Sequence, residues 1–209
     1  SDRGNKMVCM EDCSPNILSL MPRLSSIAKR VAIKLSPMFD CAEAFRLLAP
    51  AEVEVVSIGG ECKELNIYTG AERDMLRVAV VGGGEWCFEC DAMQAIPNGG
   101  SIEEGEWRYL HLPDVALQKA RLVCHHLRPV GYVASENGFA FAEEYPEAVL
   151  GRVMEIAEIV PYKPKELKKE MKGTKAELWK RDFPLSLEEI RRQTGVREGA
   201  DLRLAFTKI

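Results

Sequence analysis

Apolar positions follow two rhythms along this chain, and their alternation predicts its elements. Lys6–Met10 and Val31–Leu35 are short apolar runs of the kind a buried strand requires. Between them Ile17, Met21, Leu24 and Ala28 recur at helical spacing. Ser14-Pro15 offers that helix an N-cap and a proline at its first position, and Pro22 is expected to kink or split it. Residues 41–48 read as a short helix, and Val53–Ile58 as a strand rich in β-branched residues. This order of strands and helices predicts an α/β sheet of the doubly wound type.

Three strand-like runs follow with no helix between them: Cys62–Tyr68, Leu76–Val81 and Trp86–Cys90. Gly59-Gly60 and Gly82-Gly83-Gly84 punctuate them, which predicts an antiparallel hairpin or meander at the edge of the sheet. Residues 96–106 read as a linker. A helix is expected from Pro113 to about Leu127, with Ala116, Ala120, Val123 and Leu127 as its apolar stripe. Strands are expected near Gly131–Ser135 and Phe139–Ala142.

The last sixty residues are the most legible. Val153–Tyr162 reads as a strand. Pro164–Lys172 reads as a basic helix ended by Gly173, and Ala176–Arg181 as a strand. Ser186 and Glu189 form a capping box, with Leu185 and Ile190 placed as its hydrophobic staple, and that helix should stop near Gly195. Leu202–Thr207 alternates as a final strand. The resulting βαβαβ order predicts a small α+β layer.

Composition narrows the class. The 209 residues are 46% apolar and 29% charged, which excludes a disordered tail, a collagen-like chain and a coiled coil. No run is long and apolar enough for a membrane-spanning helix, so no membrane partner is expected. The opening residues Ser1–Lys6 are polar, and the seven cysteines read as reduced thiols of a cytoplasmic protein. Charge is uneven. Residues 1–150 hold 14 Lys and Arg against 22 Asp and Glu, whereas residues 151–209 hold 14 against 10. An acidic body with a basic end is either drift of surface charge or a footprint for a polyanion.

Candidate chemistry is sparse. Cys87-x-x-Cys90 on a strand points its thiols to opposite faces, Cys9 and Cys13 have the wrong spacing for a knuckle, and no metal is expected. His125 and His126 diverge by about 100° on a helix. Gly82-Gly83-Gly84 lacks the register of a phosphate loop and reads as a turn. Lys63 and Glu64, just past a glycine turn, read as a place for a cross-strand ion pair rather than for catalysis. Lys34, Ser36, Pro37 and Asp40 lie at the C-terminal end of a predicted strand, where open α/β sheets place ligands. They either face a substrate or form a strand-to-helix loop with Asp40 as the cap. In the basic set, Lys165, Lys168, Lys169 and Lys172 share one helical face, and Lys180 and Arg181 close the following strand. They either contact RNA backbone or form a solvated face, since Glu166, Glu170 and Glu177 are interspersed.

The segments Met10–Leu18, Lys34–Asp40 and Val56–Leu65, in that order, resemble bacterial class I S-adenosylmethionine-dependent methyltransferases that carry ferredoxin-like and THUMP-like domains. Tyr109-Leu110-His111-Leu112-Pro113-Asp114 resembles a Tyr-x-x-x-Pro-Asx segment of that family, with Leu112 where an acidic residue is expected. Glu177–Arg181 resembles the basic strand of the THUMP-like domain, with Asp182 in place of a glycine. The resemblance implies three parts: residues 1–93, the C-terminal half of a Rossmann-like sheet; 94–150, a linker and ferredoxin-like segment; and 151–209, a THUMP-like domain. It implies S-adenosylmethionine as the cofactor of a parent enzyme acting on tRNA or rRNA. The glycine-rich donor turn, the acidic strand end that grips the ribose and an Asp-Pro-Ala-Arg-Arg-like motif are not in this sequence. The expectation is therefore a C-terminal portion with no catalytic or cofactor-binding residue of its own and no bound donor. The alternative is a non-enzymatic RNA- or protein-interaction module.

Overall fold

The computed structural model describes residues 10, 13–90, 101–103 and 105–208. Residues 6–9 of the first expected strand, Cys9 and residues 96–100 of the expected linker lie outside them. The chain forms two compact units: Ser1–Ala95 with Pro113–Leu122, and Ile96–Leu112 with Val123–Ile209. They cut the sequence differently from the three segments expected above.

The first unit holds α1 (Ile17–Ile27), β1 (Ala32–Leu35), α2 (Cys41–Leu48), β2 (Ala51–Ile58), β3 (Glu61–Thr69), β4 (Met75–Val80), β5 (Gly84–Glu89) and α3 (Val115–Ala120). One local expectation for α1 is corrected: its cap is Asn16, whose side chain accepts the Ser19 N–H at 3.1 Å, rather than Ser14. Pro22 lies inside the helix, which is one element from Ile17 to Ile27 and so is not split there.

The five strands lie in the order β1-β3-β2-β4-β5. β3 is antiparallel to both β1 and β2, while β2 and β4 are parallel and β5 is antiparallel to β4. β1, β2 and β4 thus run one way and β3 and β5 the other, so the sheet is mixed rather than doubly wound throughout. The cause is local. Gly59 and Gly60 both take positive φ, +60° and +83°, and turn β2 straight back into β3, which inserts between β2 and β1.

Burial alternates strictly along β2: Ala51, Val53, Val55 and Ser57 are buried and their neighbours are not. Leu65, Ile67, Leu76 and Val78 complete this apolar set. α2 contributes buried Cys41 and Ala44, and α3 contributes Ala116, Leu117 and Ala120. The intervening positions carry polar groups. Arg77 pairs with Glu52, and Asn66 and the Tyr68 hydroxyl donate to Glu54 at 2.9 and 3.0 Å. One buried and one polar face is the usual pattern for a sheet with antiparallel pairs.

The helix expected over 113–127 is two. Arg121 takes a left-handed conformation, φ +56°, that ends α3, and the Leu122 N–H reaches back to the Leu117 carbonyl at 3.0 Å. The chain then enters the second unit as α4 (Val123–Leu127).

The second unit holds β6 (Tyr109–Pro113), α4, β7 (Tyr132–Val133), β8 (Ala140–Ala142), β9 (Gly151–Glu155), α5 (Pro164–Met171), β10 (Lys175–Arg181), α6 (Leu187–Thr194), β11 (Arg197–Glu198) and β12 (Leu202–Thr207). One sheet has the order β7-β8-β6-β9 and the other β11-β10-β12. The strand expected over 153–162 is therefore corrected twice. It ends at Glu155, with the Ile156 N–H making a last bond to the Arg108 carbonyl at 2.7 Å, and it joins β6 rather than the terminal layer. Further on, Pro161 and Pro164 lack the N–H a strand must offer, so no strand reaches Tyr162. In the terminal sheet β10 is central and pairs parallel with both neighbours. Its Ala176 and Leu178 form a core with Ile190 and Val196, on which Leu185 and Met171 pack. Both halves of the Ser186–Glu189 capping box are formed, and Gly195 closes α6 with φ +73°. No helix among the described residues is long and apolar enough to cross a membrane.

His111 on β6 is 1% exposed. Burial, helped by the neighbouring His126, pushes its imidazole down to about 4. The unfolded chain therefore binds a proton below about 6.5 that the fold refuses, and stability is lost as pH falls through that window toward 4. Denaturant titrations between pH 6.5 and 5 should show a loss approaching roughly 1.4 kcal/mol per pH unit. His111→Leu should flatten it. An unchanged slope in His111→Leu would contradict this account.

Candidate nucleic-acid interface

At the C-terminal end of β1 the four residues singled out from sequence are engaged within the chain. Lys34 is exposed and pairs with Glu64 across the strands. Ser36 Oγ accepts the Met38 N–H at 3.3 Å, and Pro37 lies in the same turn. Asp40 caps α2 by accepting the Ala42 N–H at 2.7 Å, and its other carboxylate oxygen lies 3.5 Å from Arg121. The expected cross-strand pair is therefore made by Glu64 with Lys34, while Lys63 pairs with Glu61 on its own strand. A second cap lies nearby in the chain: Asp114 accepts both the Ala116 N–H at 2.8 Å and the hydroxyl of fully buried Ser57 at 2.6 Å. Burial drives the Cys41 thiol up to about 11, which removes it as a nucleophile at neutral pH. Among the described residues no three His, Cys, Asp or Glu side chains group closely enough to hold a metal ion.

The basic face is built by α5. Pro164 opens the helix, and half-buried Leu167 and Met171, four apart, occupy one side. Lys165, Lys168, Lys169 and Lys172 then fall within about 100° on another side and extend over roughly 10 Å of helix. All four are exposed. Among the described residues none of the four has an ion-pair partner, whereas Lys163 does, with Glu166 at 3.3 Å. At the start of β10 Lys175 stands opposite Arg197 of β11, which adds a cation pair beside the helix. Arg197 escaped sequence reading because a strand of two residues leaves no periodic signal.

The two remaining basic candidates differ from these four. Lys180 donates to the carbonyls of Phe183 and Leu185, at 3.2 and 2.9 Å, and so braces the turn before α6. Arg181, next along β10 and therefore on the other face, is half-buried, and that burial lowers its pKa despite Asp182 beside it. Four exposed ammonium groups in a row without acid partners are the kind of surface that can hold a polyanion by its backbone charge, independent of sequence.

Residues 151–209 match the family described as THUMP domain-like. A crystal structure described as a "putative methyltransferase" from Porphyromonas gingivalis W83 superposes with a TM-score of 0.80 at 26% identity, over 98% of this chain and 54% of that one. The chain thus spans about half the length of the structure it resembles. No curated protein matches. The terminal domain is THUMP-like, and the chain has a methyltransferase-like mixed α/β fold.

The Ser57–Asp114 link can be tested by a double-mutant cycle. Asp114→Ala removes a helix cap and the partner of a buried hydroxyl, and should cost about 2–3 kcal/mol in urea unfolding. Ser57→Ala should cost about 1 kcal/mol. The double variant should fall short of the sum, because both changes delete one shared bond. Additivity within roughly 0.3 kcal/mol would show that the contact carries no energy.

Proposed function

We propose that this chain is the C-terminal portion of an S-adenosylmethionine-dependent methyltransferase acting on structured RNA, tRNA or rRNA, in the cytoplasm. The open lysine face of α5 carries this reading, because it lies in a domain that matches the THUMP-like family, whose resemblance implies RNA binding. The superposed methyltransferase structure supports the enzymatic part, and the 54% coverage supports the reading as a portion of something longer. In this account residues 1–93 contribute the later strands of a Rossmann-like sheet, 94–150 a ferredoxin-like segment and 151–209 the RNA-positioning domain.

S-adenosylmethionine supplies the methyl group, and in this reading its cradle belongs to the rest of the enzyme. The carboxylates at the strand ends, Asp40 and Asp114, are spent on helix caps. The Gly59-Gly60 turn serves as the hairpin that joins β2 to β3. Methyl transfer needs donor and acceptor aligned in a dry pocket. This chain's part is to hold the RNA for that alignment. Lys165, Lys168, Lys169 and Lys172 take the backbone charge. Lys180 and Arg181 sit at the margin of the contact, Lys180 with one N–H left to offer beyond the two that hold carbonyls. Lys34, Ser36, Pro37 and Asp40 are the substrate-facing candidates on the sheet unit.

Anisotropy titrations with bulk tRNA at two salt concentrations test the RNA assignment. Changing Lys165, Lys168, Lys169 and Lys172 together to Gln should weaken binding and flatten the slope of log K against log salt by about 3. Arg181→Gln should alter it far less. A quadruple variant that binds like the wild type contradicts the assignment. Calorimetry with S-adenosylmethionine should give no heat with this chain, and a micromolar signal would place a donor pocket here after all.

A further inference from the structure

The second unit contains a groove that the RNA reading does not use. β12 pairs with β10 on one side, and among the described residues its other edge has no strand partner. An unpaired edge presents a row of free N–H and C=O groups to another chain. Here it opens into a cavity of about 720 Å³, the size of drug-like ligand sites.

The lining of this cavity comes from both faces of β12. On one face Tyr162, Phe183 and Phe206 form a ring cluster with centroids 5.0 to 5.9 Å apart. On the other lie Phe141, Met154 and Trp179. Apolar residues from both faces of the terminal sheet thus line one cavity beside its last strand. The far wall is residues 155–160, where Ile159 and Val160 are 48% and 50% exposed. The rim is acidic. Glu155, Glu158, Glu170 and Asp201 line it without an ion-pair partner among the described residues, while Arg203 is held by Glu177 at 3.4 Å.

We propose that this groove binds an extended peptide segment of a partner protein, apolar along its length and basic at its flanks, as a fourth strand of the terminal sheet. Main-chain pairing along β12 supplies affinity, and alternate side chains enter the two apolar layers. The unpaired carboxylates select a basic peptide and repel phosphate, opposite in sign to the α5 face. This inference goes beyond the RNA assignment and does not depend on it.

The probe is a fluorescent synthetic peptide, Lys-Lys-Val-Tyr-Val-Tyr-Val-Lys-Lys, titrated into the intact chain with hydrogen exchange as a second readout. It should bind and slow exchange at amides within Leu202–Thr207. N-methylation of alternate peptide amides should weaken binding at least about ten-fold, as should Glu155→Lys with Glu158→Lys, with tRNA binding of that variant retained. Ala205→Arg, at an exposed position on β12, should block the groove while circular dichroism stays native. Four results would overturn the proposal. The first is equal binding of the N-methylated peptide. The second is unchanged exchange along β12. The third is a dimer in sedimentation that the peptide does not dissociate. The fourth is displacement of the peptide by oligouridylate, which would make the groove an RNA site.

Discussion

The seating of α5 and α6 on β10 is the constraint from which the functional surfaces of the terminal domain follow. Ala176 and Leu178 must be buried, and they are buried by Ile190 and Val196 with Met171 packed alongside. Once Leu167 and Met171 turn toward that core, a helix with 3.6 residues per turn has no choice about its lysines. Lys165, Lys168, Lys169 and Lys172 emerge into solvent together. Because Glu166 pairs with Lys163, that carboxylate does not neutralise the row. Positive potential is thus a by-product of apolar packing. The same packing makes β12 an edge, and aromatic residues from both of its faces line the cavity beside it.

The first unit follows a different economy. Its strand ends are rich in polar groups, yet these are committed to each other: Asp40 to α2 and Arg121, Asp114 to α3 and Ser57, Lys34 to Glu64. Such groups stabilise turns and helix starts, and a ligand would have to compete for them. The chemistry-bearing residues of this unit therefore read first as scaffold, and the surface free to act on a polyanion belongs to the terminal domain.

What could be read from sequence was what is decided within a few residues. The Ser186–Glu189 box, the stop at Gly195, the basic helix from Pro164 and the two-glycine hairpin at 59–60 each depend on adjacent side chains and backbone preference. Pairing between distant strands was not legible. Nothing in Gly151–Glu155 announces that its partner is β6, and nothing in Cys62–Tyr68 says that the strand slips between β1 and β2. Arg121 breaks its helix with a left-handed residue that is neither glycine nor asparagine, so the stripe from Ala116 to Leu127 looked continuous. Lys180 and Arg181 looked equivalent to the α5 lysines because charge is visible in sequence and hydrogen-bond commitment is not. The groove was hidden for the same reason, since which strand ends a sheet is a property of the whole fold.

The central claim is that the α5 face, and no other cluster of amines on this chain, meets RNA. Lysine footprinting by brief acetylation and mass spectrometry, with and without tRNA, tests it most directly. Protection should fall on Lys165, Lys168, Lys169 and Lys172 and spare Lys29, Lys63 and Lys119. Protection centred on Lys29, Lys63 and Lys119, or none anywhere at an RNA concentration that saturates binding, would contradict the account.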